Sequence, residues 1–378
     1  MKIIYNIAAT YNSGGMERVL ANKVNYLAGL GLEINIITTD QQDRPSYFEM
    51  DSNILQWDLG INYAEHVNAN IVRKSASYIY KQKLHKNRLD ALLKLLKADV
   101  VISMFDHEAP FLYKIKDGSK KILEIHFSRY KRLQYGRIGL HGLADRYRSK
   151  EDLQIAKKYD RFVVLTKEDQ GYWGDLPNMQ VIPNSNSFEP TRTADLTKKR
   201  VIAVGRFDDQ KAFHHLIQAW KTVYEAHPDW SLVIFGQGPL KGDLEKMIVQ
   251  LRLQGVVSLC EPVQNIEKEY LQSSILAMTS RYEGLPMALL EGQACGLPLV
   301  SFDCKCGPKD IIENGVNGYL VKEGDISSLA DRIIELIEDP ILRIKMGRAA
   351  RSKSKYFTEG AVMKQWMDLF NSLIGKQL

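Results

Sequence analysis

Two carboxylates bracket a proline in the stretch Ser280 to Pro298, which runs SRYEGLPMALLEGQACGLP. Glu283 precedes Pro286 in a polar turn, and Glu291 follows it. Proline suits a first helical residue, because its missing N–H has no intrahelical partner there. Gly296, with Pro298 just beyond, suits a helix stop. At a rise of about 1.5 Å per residue the carboxylates stand on the order of 10 Å apart. The helix N-terminus between them offers free N–H groups and partial positive charge, a seat for phosphate. A ligand with hydroxyls at both ends and phosphate in the middle would fit, and a nucleotide sugar has that shape. A capped surface helix with two solvated glutamates fits the same residues.

A second set of groups complements the first. Arg206 and Lys211, in GRFDDQK at 205–211, stand at a strand end and at a helix entrance. Two cations so placed can hold one pyrophosphate and balance leaving-group charge. Gly14 and Gly15 follow the first strand and open a helix, where backbone N–H groups approach an anion without a Cβ in the way. They do not form the Gly-x-Gly-x-x-Gly fingerprint of dinucleotide sites. Glu17 and Arg18, next on that helix, face a cleft or solvent. His126 ends a strand and would hydrogen-bond a sugar hydroxyl or stabilise developing charge, with Asp106 and His107 as rivals. Gly236 and Val263 follow two further strands and would flank a base or ribose through their backbone. Asp208-Asp209 is not Asp-x-Asp, and the four cysteines lack zinc spacing, so no metal is expected.

These residues need strands to present them. Lys2–Thr10, a glycine turn, a helical Met16–Leu30 and Glu33–Thr39 make a strand–helix–strand unit, which implies a parallel sheet. Further strands are expected at 54–59, 99–104, 121–126, 161–166 and 180–183. The polar stretch 184–197 reads as a linker. A second series follows, with strands at 200–205, 231–236, 256–259, 275–278, 299–302 and 318–321. Helices are expected between them and at the C-terminus. The expected domains are 1–190, on the acceptor side, and 191–358, on the donor side. Helix 359–378 would pack back on the first. Two doubly wound domains facing a cleft put ligands at the C-terminal ends of strands.

At 378 residues, 45% hydrophobic and 25% charged, the chain has the composition of a soluble two-domain protein. No apolar run reaches the ~18 residues of a membrane span, and nothing resembles a secretory leader. The cytoplasm is the expected location. The net charge of +6 is uneven: residues 70–150 hold 19 Lys and Arg against 7 Asp and Glu, a net of +12, leaving −6 elsewhere. Within this region Tyr78–Lys97 has leucines at helical spacing among lysines. Such a helix lies on an anionic membrane surface or docks on a sheet with its lysines outward.

Together these motifs resemble glycosyltransferase family 4, retaining enzymes of GT-B fold, over nearly the whole chain. The likeness is strongest in Glu-Gly-Leu-Pro…Glu at 283–291, in 294–298, in Gly307-Pro308 and in 314–318. It implies an α/β protein of two Rossmann-like domains. Glu291 would hold the donor ribose and Glu283 the donor sugar, with Gly284 and Leu285 giving backbone contacts. Arg206 and Lys211 would bind the pyrophosphate, Gly14 and Gly15 would close from the other domain, and His126 matches the cleft histidine. No bound metal or other cofactor is implied. The donor would be a UDP-activated hexose or N-acetylhexosamine and the acceptor a saccharide, lipid-linked, in bacterial surface polysaccharide synthesis. The basic region would suit peripheral contact with the inner membrane face. Two other classes compete: a non-hydrolysing UDP-sugar 2-epimerase, and a non-catalytic basic protein that binds membrane or nucleic acid. Nucleic acid is not expected, since no aromatic-basic motif accompanies the charge.

Overall fold

The computed structural model describes residues 1–66, 71–131, 133 and 139–375. It divides into two compact units. The first is Met1–Leu165, Gln170–Ile182 and Met363 onward; the second is Thr166–Asp169 and Pro183–Val362. Parts of the basic 70–150 region and the end of the 359–378 helix lie outside the described residues.

In chain order the first half is β1 (Lys2–Asn6), α1 (Gly15–Gly29), β2 (Glu33–Thr38), β3 (Leu55–Asp58), α2 (Ile71–Leu96), β4 (Val100–Ser103), β5 (Lys120–Glu124), α3 (Gly139–Ala156), β6 (Arg161–Val164), α4 (Lys167–Trp173) and β7 (Met179–Val181). Its strands form one parallel sheet in the order β3-β2-β1-β4-β5-β6-β7. The order reverses between β1 and β4, where an open α/β sheet leaves a crevice beyond its strand ends. The helices cover the sheet because their apolar residues recur at helical spacing. In α1 these are Val19, Leu20, Val24 and Leu27, all buried, and Lys23 falls inside the same stripe.

The second half continues with β8 (Arg200–Val204), α5 (Phe213–Ala226), β9 (Ser231–Phe235), α6 (Lys241–Gln250), β10 (Val257–Cys260), α7 (Ile266–Leu271), β11 (Ile275–Met278), α8 (Met287–Ala294), β12 (Leu299–Phe302), α9 (Pro308–Ile311), β13 (Gly318–Val321), α10 (Ile326–Glu338), α11 (Pro340–Ser354) and α12 (Glu359–Ile374). Its sheet is parallel too, ordered β10-β9-β8-β11-β12-β13, with the reversal between β8 and β11. Phe213, Leu216, Ile217, Trp220 and Val223 of α5 join Leu329, Ile333 and Leu336 of α10 in its core.

One open alternative is decided here in favour of docking on the sheet, and one helix is added. The leucines of 78–97 are not a membrane face: Leu89 and Leu93 are buried, and Leu84, Leu92 and Leu96 pack against the same core. That helix also starts earlier, at Ile71. Among its described residues, the large hydrophobic side chains it exposes are Tyr78, Ile79, Tyr80 and Leu95. The helix α3 was not expected; its charged, weakly periodic sequence hides it.

Candidate active site

The second unit gathers its chemistry at the sheet reversal. Gly205 to Lys211 leaves β8, and Ser280 to Pro286 leaves the neighbouring strand β11. Backbone hydrogen bonds join the two loops: Arg281 N–H donates to Gln210 C=O at 2.8 Å, and the Gln210 side-chain amide donates to Tyr282 C=O at 3.0 Å. The Thr279 hydroxyl donates to the carbonyls of Lys211 and Ala212 at 3.0 and 3.2 Å. Across this seam Lys211 Nζ donates to Glu283 Oε1 at 2.6 Å, with both side chains largely buried. The Lys211 stem gets there by lying over Gly205, where an added Cβ would stand 3.0 Å from its Cε. Arg206 stays 72% exposed and pairs with Asp208 at 2.8 Å.

Beyond Glu283 the chain enters α8. Pro286 is its N-cap, one residue outside the expected position, and the Pro286 carbonyl accepts from Leu289 and Leu290. The far end closes as expected. Gly296 has φ +77, Gly296 N–H donates to Gln293 C=O, and Leu297 N–H donates to Gly292 C=O, the paired bonds of a Schellman stop. Glu291, buried on this helix, accepts from Ser187 Oγ at 2.6 Å and from Tyr270 OH at 2.9 Å. Ser187 and Tyr270 were not singled out from sequence, since neither lies in a motif or an apolar run that would mark it.

Gly236 finds another explanation. An added Cβ there would stand 1.9 Å from the Gly205 carbonyl oxygen, so the glycine lets two strand ends touch. Val263 is exposed beyond β10, and Leu285 is buried in the turn before α8, next to the half-buried Gly284. Gly307, at φ +100, lets the loop after β12 pack on the start of α8; an added Cβ would stand 2.3 Å from Pro286 Cδ.

The first unit has its own cluster. Gly14 caps α1 and Gly15 opens it, but the anion at this N-terminus is the chain's own Glu17. Its Oε2 lies 2.2 Å from where a Gly14 Cβ would stand, and its side chain is buried rather than facing cleft or solvent. Burial pushes the Glu17 carboxyl up; its backbone hydrogen bond, Asn12 and the charge of His126 pull it down. His126 lies just past β5 with its side chain only 7% exposed, and Nε2 stands 3.1 Å from Glu124 Oε1. Neither ring nitrogen has a hydrogen-bond partner. Glu124 also takes an ion pair from Lys23, whose Nζ sits 3.9 Å from the Trp366 ring centroid. Burial raises the Glu124 carboxyl, but Lys23 and His126 outweigh it and leave it at about 2.

The rivals form a separate group past β4. His107 stacks on Tyr63 at 3.8 Å, and Asp106 Oδ1 stands 3.7 Å from His107 Nε2. Glu108 accepts from Ser103 Oγ at 2.5 Å, and burial, then Asp106, lift it to about 8. Among the described residues, no three His, Cys, Asp or Glu side chains are grouped as a metal would need.

Residues 186–353 match the model of the family of glycosyl transferases group 1. The chain is 33% identical over 222 residues to the amylovoran biosynthesis glycosyltransferase AmsD of Erwinia amylovora, covering 56% of this chain and 62% of that protein. It is 26% identical over 323 residues to the poly(ribitol-phosphate) alpha-N-acetylglucosaminyltransferase of Staphylococcus aureus, covering 82% and 64%. The chain thus spans somewhat under two thirds of the length of each of these relatives. Among solved structures, S. aureus TarM in complex with fondaparinux, alpha-GlcNAc-glycerol and UDP has a TM-score of 0.80 at 18% identity, over 98% of this chain and 99% of that one. The fold is therefore that of the GT-B glycosyltransferases, with two Rossmann-like parallel-sheet domains.

Proposed function

We propose that this protein is a retaining glycosyltransferase. It moves a hexose or N-acetylhexosamine from a UDP-activated donor to a saccharide acceptor, lipid-linked, in bacterial surface polysaccharide synthesis. The observation that carries this reading is the Lys211–Glu283 pair at the reversal between β8 and β11, followed along the chain by Glu291, which Ser187 and Tyr270 hold on α8. The relatives' names support the reaction class, and the UDP in the TarM structure supports the donor type.

In this reading Glu291 takes the ribose hydroxyls, with its carboxylate oriented by Ser187 and Tyr270. Glu283 takes hydroxyls of the donor sugar, and Gly284 and Leu285 add backbone contacts. Arg206 and Lys211 take the pyrophosphate, and Lys211 bridges it to Glu283. Val263 flanks the base by its backbone. Of the first unit's groups, His126 is assigned to the reacting sugar, whereas the N-terminus of α1 at Gly14 and Gly15 is already faced by Glu17. No carboxylate is assigned as a nucleophile behind the anomeric carbon, so retention calls for front-face displacement. The bond from the anomeric carbon to the β-phosphate oxygen breaks, and the acceptor oxygen bonds to that carbon on the same face. The acceptor proton passes to the leaving phosphate. Arg206 and Lys211 stabilise the charge that gathers there. The reaction needs no bound metal. The protein works in the cytoplasm, and the basic surface of the first domain holds it at the anionic inner membrane face.

Incubation with UDP-N-acetylglucosamine, UDP-glucose and UDP-galactose, each with a polyprenol-diphosphate-linked saccharide, tests this. One donor should give a product whose anomeric proton coupling shows the α configuration of the donor retained, and EDTA should leave the rate unchanged. An inverted product, loss of turnover in EDTA, or a donor epimerised without acceptor would each overturn the corresponding part.

A further inference from the structure

We propose that Glu124 is the positioning residue for His126, kept in place by Lys23 and by Trp366 of the last helix. This rests on the reading that His126 meets the reacting sugar.

The four side chains form one chain through the first unit. Trp366 on α12 covers the ammonium of Lys23, Lys23 pairs with Glu124, and Glu124 Oε1 stands 3.1 Å from His126 Nε2. All are buried: Lys23 interrupts the apolar stripe of α1, and Glu124 ends a strand in the interior of the sheet. A buried ion pair seldom stabilises a fold more than apolar side chains of the same volume would. Stability therefore does not explain why a lysine and a glutamate occupy two core positions. Their placement does have a use. Lys23 keeps Glu124 ionised, and the ionised oxygen faces one edge of the imidazole. Neither ring nitrogen is satisfied by a hydrogen bond, and Nε2 has the ion-pair contact alone. Leaving a buried polar nitrogen unpaired is costly, and a ligand hydroxyl would remove that cost. Other charged or ionisable groups around the cluster are Glu17, which acts on His126 from α1, and Tyr5, whose ring centroid lies 5.9 Å from Lys23 Nζ. The last helix thereby supports the histidine without touching it.

The test is Glu124→Gln, which keeps shape and removes charge, studied by crystallography and by UDP release from UDP-N-acetylglucosamine, UDP-glucose and UDP-galactose. In the E124Q crystal structure the His126 ring should leave its orientation while the backbone stays. E124Q should lower kcat by roughly 10- to 100-fold, the scale of a misplaced reacting group, with KM for the donor little changed. E124D should recover part of the rate, and E124Q should cost nothing further in an H126A background. If E124Q fails to fold, K23M/E124Q removes the two charges together and should fold with kcat still low. An unmoved ring with unchanged kcat, an equal loss in the H126A background, or full activity of K23M/E124Q would overturn the proposal. Full activity of H126A would instead overturn the role of His126 itself.

Discussion

Lys211 and Arg206 differ more than their shared sign suggests. Lys211 is held against Glu283 at 2.6 Å, and Arg206 stands in solvent beside Asp208. If both bind pyrophosphate, Lys211 is preorganised and Arg206 is recruited on binding. Arg206→Ala and Lys211→Ala should each lower kcat/KM by roughly 10²-fold or more, the scale of a lost transition-state donor. Lys211→Ala also leaves Glu283 without its cation, so it should lose more than Arg206→Ala; steady-state kinetics of the two variants check the order. Glu108 supports a prediction of another kind. Its carboxyl sits at about 8 in the fold against an ordinary 4.5, so between those values the folded chain holds a proton that the unfolded chain releases. Stability should therefore fall as pH rises from about 5 to 8, and Glu108→Gln should flatten that slope in urea titrations at several pH values.

The strand–turn–helix logic around α8 was legible at the level of the element. Pro286 and Gly296 mark its ends by backbone chemistry that needs no tertiary information, and so do the glycines that open α1. What stayed hidden depends on neighbours remote in sequence. Ser187 and Tyr270 matter because they reach Glu291 across 104 and 21 residues. Glu17 reads as a free first-turn acid until its carboxylate is seen turned back on Gly14. Gly236 was assigned to a ligand, whereas its nearest constraint is the Gly205 carbonyl. The leucines of α2 had two possible partners, a membrane or a sheet, and only packing decides between them. Two glycine substitutions check the backbone reasoning. Gly296→Ala should cost about 1 kcal/mol or more for φ +77, with Thr193 only 3.1 Å from the added carbon. Gly236→Ala should cost several times that, because backbone rather than a flexible side chain is in the way; chemical denaturation measures both.

At the scale of the molecule, two parallel sheets of the same doubly wound kind place candidate residues just beyond strand ends. Charge is divided along the chain, with +12 on residues 70–150. No helix among the described residues is long and apolar enough to cross a membrane. Peripheral attachment would then be electrostatic, assisted by the exposed Tyr78, Ile79 and Tyr80. Sedimentation with phosphatidylglycerol vesicles should show binding at low salt that is lost near 1 M, where the screening length falls to about 3 Å. Phosphatidylcholine vesicles should not bind. The donor site is the central claim, and thermal unfolding in EDTA with UDP-, GDP- and ADP-sugars tests it most directly. A ligand at one hundred times its Kd adds about 2.7 kcal/mol to the folded state. A UDP-sugar should raise Tm of the unsubstituted chain, and the rise should shrink in Lys211→Ala and in Glu291→Gln. No rise with any nucleotide sugar, or an equal rise in both variants, would contradict the placement of the donor between β8 and β11.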